Sequence, residues 1–128
     1  MKRIPMALLL LIAVVAEAEN MDSRISEAKS VTSSSTGKSY DALLSPSIGK
    51  AIKTCVPPGS TSPANLGNFT LVAYVAADGS TREIEVRPST SISKCFAQKF
   101  SSLKMPAPPE ALIAKNGVPI VVEMSIVK

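Results

Sequence analysis

Cys55 and Cys95 are the side chains of this 128-residue chain best suited to covalent chemistry, and the chain contains no histidine. Two thiols without histidine cannot complete a zinc shell. A redox-active pair usually sits close in sequence at a helix N-terminus, as in C-x-x-C, and these two cysteines lie far apart. Glu83 and Glu85 stand two residues apart, a spacing that on paper resembles a catalytic carboxylate pair. On a strand with one wet face that spacing gives a polar surface, and no electrophile-binding group accompanies it. The serines form no G-x-S-x-G nucleophile elbow. The residues therefore predict no enzyme, no catalytic residue, no metal site and no cofactor.

What remains for the cysteines is a disulfide, and the N-terminus supports one. Lys2 and Arg3 precede an apolar run from Ile4 to Ala16, and Ala16-Glu17-Ala18 fits the small-x-small cleavage rule. Residues 1–18 are expected to be a cleaved export signal, because the run falls short of the ~20 residues that span a bilayer. The mature chain then resides in the periplasm, with secretion as the second choice, where two cysteines pair as Cys55–Cys95. The formal charge of +4 drops by one without Lys2, Arg3 and Glu17. The basic residues read as scattered and Trp is absent, so neither a phosphate-tracking groove nor a base-stacking platform is expected.

These residues need elements to hold them. Residues 19–39 are polar and Ser/Thr-rich, centred on VTSSSTG, and read as a flexible tether or frayed helix. Residues 40–128 read as one domain. Ser45-Pro46 is a helix start, and Leu44, Ile48, Ile52 and Cys55 recur around it at helical spacing. Phe69–Val75 is the strongest strand, Ala76–Gly79 a tight turn, and Thr81–Arg87 a second strand with Ile84 and Val86 pointing in. Ile92, Cys95, Phe96, Phe100 and Leu103 mark a second helix that stops at Met105-Pro106. Val118–Val127 closes the chain as a strand, with Pro119 directing it to a sheet edge. The expected fold is α+β, a three-stranded antiparallel sheet with two helices packed on one face and the disulfide tying helix to helix.

From Phe69 to Val127 the chain resembles the C-terminal domain of TonB-like periplasmic proteins. The resemblance is carried by the strand and D-G turn of LVAYVAADGSTREIEV, by Leu103-Lys104-Met105-Pro106 where that family has a W-x-F-P-like stretch, and by Gly117-Val118-Pro119-Ile120 opening the last strand. One cysteine before the hairpin and one early in the helix look most like the cysteine-containing AgmX/PglI C-terminal branch. Leu103 and Met105 replace the usual aromatic pair, keeping apolar volume without stacking. The membrane anchor and long Pro-rich spacer of TonB are not found here, so force transduction is not expected.

The resemblance implies an interaction domain whose last strand accepts a peptide strand. The residues supply a physical basis for that: an edge strand at Val118, Ile120, Val121, Val122, Glu123, Met124, Ser125 and Ile126 offers unpaired backbone groups for strand addition. The expected partner is a protein of the cell envelope, with no stable membrane insertion after signal cleavage. The same edge serves equally for a homodimer, or is covered by the Ser-rich segment or a loop. The alternative is a structural or envelope-assembly component binding peptidoglycan or a secretion or motility machine subunit. Val122→Pro is the substitution expected to separate the two.

Overall fold

The computed structural model describes residues 20–56 and 66–127, so the export signal expected at 1–18 and the loop after Val56 lie outside the described residues. The elements in order are helix α1 (Met21–Val31), helix α2 (Ser35–Lys53), strand β1 (Gly67–Val75), strand β2 (Thr81–Arg87), helix α3 (Ser91–Ser101), a short 3-10 turn (Glu110–Leu112) and strand β3 (Val118–Ile126). The fold is α+β, with a three-stranded antiparallel sheet in the order β2-β1-β3.

β1 lies in the middle because it is apolar on both sides. Its residues from Leu71 to Val75 are all buried, the near-continuous apolar run of a strand covered on both faces. One face carries Phe69, Leu71, Ala73 and Val75, joined by Val118, Ile120, Val122 and Ile126 of β3. Tyr40, Leu44 and Ala51 of α2 and Ile92, Phe96 and Phe100 of α3 pack on this face and form the main core. Phe96 stands in tilted ring contact with both Phe69 and Phe100, at 5.7 and 5.8 Å between centroids. α3 begins at a capping box in which the Thr90 hydroxyl accepts the Ser93 N–H and the Ser93 hydroxyl accepts the Thr90 N–H. Cys55, just past α2, is bonded to Cys95 on α3, so the expected staple between these two helices is present.

The Ser-rich segment departs from expectation. It is helical, and α2 starts ten residues before the Ser45-Pro46 signal. Asn20 caps α1 by accepting the Ser23 N–H, and Ser34 caps α2 by accepting the Gly37 N–H. Pro46 is accommodated inside α2. Gly37 is needed where the helices meet, since a Cβ there would overlap the Val31 carbonyl. α1 covers the second face of the sheet, so among the described residues two helices lie on one face and a third on the other.

What holds α1 is mostly polar, which is why an apolar stripe did not announce it. Its buried residues are Arg24 and Ala28. Arg24 donates to the Glu85 carboxylate at 2.8 Å and to the Glu83 carbonyl at 2.7 Å, and its guanidinium lies 4.8 Å from the Tyr74 ring centroid. Glu83 sits at a bulge in β2 with φ +50, and this turns its carbonyl toward Arg24 instead of into the ladder. Glu27 accepts the Tyr74 hydroxyl proton at 3.0 Å, and Arg87 pairs with Asp22 at 2.9 Å. The face expected to be wet is thus an ionic seat for α1. Glu85 keeps 58 % of its side chain exposed, so the ion pair itself adds little. The carbonyl bond and the ring contact dominate. Arg24→Ala should cost about 2 kcal/mol of α1 docking, read as a loss of amide-exchange protection confined to α1. Unchanged protection there would mean that Ala28 and the turn hold the helix without Arg24.

Candidate functional site

No cluster of three or more metal-ligating side chains occurs among the described residues. The carboxylate of Glu85 is engaged by Arg24, and Glu83 is exposed with its carbonyl in use, so the two do not converge on a common point. Ser-x-x-Lys spacings recur on the helices, at Ser26–Lys29, Ser35–Lys38, Ser47–Lys50 and Ser91–Lys94, and sequence reading passed over them. In each pair the lysine is exposed, so none has the desolvated ammonium that Ser–Lys chemistry uses.

The feature with free bonding capacity is the outer side of β3. This strand pairs with β1 along its full length, from Val75↔Val118 to Gly67↔Ile126, and no described strand flanks its other side. The direction of each backbone group follows from the hairpin. Ala76 donates its N–H to the Ser80 carbonyl at 2.8 Å, which makes that pair hydrogen-bonded. Alternation from there turns the backbone groups of Tyr74 toward β2 and those of Ala73 and Val75 toward β3. On β3, Ile120 and Val122 therefore turn their backbone groups inward to Ala73 and Leu71, whereas Val121, Glu123 and Ser125 turn theirs outward. Pro119, opposite Tyr74, falls in the outward set, the parity at which a missing N–H removes no ladder bond.

The edge is not uniform along its length. Val118, Ile120 and Val122 are core residues. Around Val118–Val121 a small crevice is walled by Ala28 and Val31 of α1 and by Gly37, Tyr40 and Leu44 of α2, so the corner between these helices closes over the first half of the strand. The Ser-rich segment thus covers part of the edge, as the alternative to a free edge expected. Beyond Val122 the strand opens. Glu123 and Ser125 are exposed and Met124 is half-buried. A shallow depression runs over Asn68, Thr70, Glu123 and Ser125, where the Ser125 hydroxyl donates to the Asn68 side chain at 2.7 Å. Lys29 lies 3.7 Å from the Glu123 carboxylate with both side chains solvated. Of the eight edge residues expected from sequence, the structure leaves accessible the stretch from Glu123 to Ser125, with Val121 partly covered.

Two motifs far apart in sequence meet at the opposite end of the sheet. Asp78 accepts both the N–H and the hydroxyl of Ser80, which hold its carboxyl below the usual range. Gly79, at φ +90, accepts the Met105 N–H at 2.9 Å, so the D-G turn docks on Leu103-Lys104-Met105-Pro106. The Tyr40 hydroxyl donates to the Pro106 carbonyl at 2.7 Å, and burial pushes its pKa up to about 12, so it keeps its proton beyond the pH at which an exposed tyrosine loses it. α3 ends at Ser101, a few residues before the expected Met105-Pro106 stop, and the extended segment after it is fastened by these two bonds.

No helix among the described residues is long and apolar enough to cross a membrane. Comparison with protein-family models, with curated proteins and with solved structures finds no match to this chain.

Proposed function

We propose that this chain is an exported, non-enzymatic interaction domain of the cell envelope that binds a protein partner by strand addition to the open half of β3. The observation that carries this reading is the outward set of backbone groups at Glu123 and Ser125, on a strand that no described strand flanks on that side. A peptide strand lying antiparallel or parallel there gains main-chain hydrogen bonds, with side-chain selection from the depression over Asn68 and Thr70. The disulfide fits an oxidising compartment, and periplasmic residence after signal cleavage is part of the proposal. The resemblance of the hairpin, the Leu103–Pro106 segment and the last strand to TonB-like domains supports the same reading.

The register changes which substitution tests it. Val122 turns its N–H toward Leu71, so Val122→Pro would break the sheet's own ladder along with any partner's. Glu123→Pro removes an outward N–H and spares the internal ladder. A photo-crosslinker at Ser125 is expected to capture one envelope protein in cells, and Glu123→Pro should abolish that adduct while leaving the thermal unfolding midpoint within a few degrees. Capture of peptidoglycan alone, or an adduct that survives Glu123→Pro, would overturn strand addition.

A further inference from the structure

The charges are segregated by layer, which a linear reading of scattered lysines does not reveal. Every described arginine, Arg24, Arg82 and Arg87, lies on α1 or β2, and all the ion pairs among the described residues involve α1. α2 and α3 form the opposite layer. They carry Lys38, Lys50, Lys53, Lys94 and Lys99, all exposed and none with an ion-pair partner among the described residues. The one carboxylate on either helix is Asp41, and no acidic residue occurs from Ala42 to Ala77 or from Val86 to Pro109. The disulfide joins the end of α2 to α3, so Lys53 and Lys94 flank the staple and extend one surface across both helices.

That surface also has an apolar element. Leu43 on α2 is 58 % exposed, a large side chain left in water, and Lys50 follows it two helical turns later on the same side. A solvated lysine face around an exposed leucine suits a bilayer surface. The ammonium groups meet lipid phosphates while their stems and Leu43 enter the interfacial region. Arginine forks, which match discrete anions bidentately, are absent from this face.

We infer that the outer surface of the α2–α3 layer binds peripherally to a membrane bearing anionic lipid, holding the opposite face of the sheet and the open edge of β3 toward other proteins. This site is separate from the strand edge and does not depend on its having a partner.

The test uses the exported, processed and oxidised protein with vesicles of phosphatidylcholine alone or with phosphatidylglycerol added, at low salt. Partition onto the anionic vesicles is expected, with little onto the neutral ones and a steep loss as salt rises. Lys50→Ala, Lys53→Ala and Lys94→Ala should each weaken it about fivefold, the effect of one basic residue near such a surface. Arg82→Ala, which removes the same charge from the other face, should leave it unchanged. Equal loss from Arg82→Ala would reduce the effect to net charge and overturn the assignment. So would equal partition onto neutral vesicles, or binding to a soluble polyanion such as dextran sulfate without binding to vesicles. Leu43→Ser reads the apolar element separately: it should weaken partition while leaving its salt dependence intact.

Discussion

Replacing Cys55 and Cys95 together by serine should lower the free energy of unfolding by roughly 4 kcal/mol, the loop-closure entropy of a cross-link spanning 40 residues. Most of that loss arises in the denatured chain, which becomes free to expand, so the urea m-value should rise as the midpoint falls. The native consequence is local to the α2–α3 layer. Cys55 is buried against the core and Cys95 is half-buried, and the link sets the end of α2 against α3. Leu44 of α2 and Phe96 of α3 belong to the same apolar core, and apolar packing of that kind is non-directional. For a domain this small, net stability is only about 5–15 kcal/mol, so the double variant should sit near the lower limit of cooperative folding. Urea unfolding of oxidised, reduced and double-serine proteins checks this. A loss below ~1 kcal/mol would show that packing alone holds the two helices, and that the entropic account of the link fails.

Gly79→Val should be the most damaging single substitution outside the core, costing about 3 to 5 kcal/mol from a left-handed backbone and an overpacked contact together. Gly79 is at φ +90, and a Cβ would enter the Met105 carbonyl oxygen, which belongs to backbone and cannot rotate away. To relieve the clash, Met105 must withdraw from the hydrogen bond it donates to the Gly79 carbonyl. Its neighbour Pro106 holds the Tyr40 hydroxyl, so the disturbance reaches α2. A fall in the unfolding midpoint of more than roughly 12 °C is expected for a domain of this size. Gly49→Ala makes a control on α2, since a Cβ there meets nothing within 4 Å and helix propensity favours alanine. It should be neutral or stabilising. Comparable losses from both variants would mean that glycine's flexibility in general, and not the approach to Met105, sets the effect.

Both predictions concern features that the sequence announced, whereas α1 shows where sequence reading ran out. Hydrophobic periodicity detects helices that bury apolar side chains, and α1 buries Arg24 and Ala28. Its seat is made of groups that are polar one at a time: the Glu83 carbonyl, the Glu85 carboxylate and the Tyr74 ring and hydroxyl. A signal for it did exist, in the strand instead of the helix. Five consecutive buried residues from Leu71 to Val75 require cover on both sides of β1, and two helices on one face cannot supply it. The start of α2 was misplaced for a different reason. Ser45-Pro46 is a sound local signal, and the cap at Ser34 together with the burial of Tyr40 and Leu44 overrode it.

By itself the sequence determined the α+β class, the hairpin, the buried stripe of α3 and the pairing of its two cysteines, because each rests on local periodicity, turn chemistry or residue count. The tertiary structure alone decided the rest. It placed α1 on the second face of the sheet, closed the first half of β3 under the α1–α2 corner, and left Glu123 and Ser125 with outward backbone groups. It also gathered lysines distant in the chain onto one layer. Exposure, ladder parity and shared surface are properties of neighbours in space, and they exist only once the chain has brought those neighbours together.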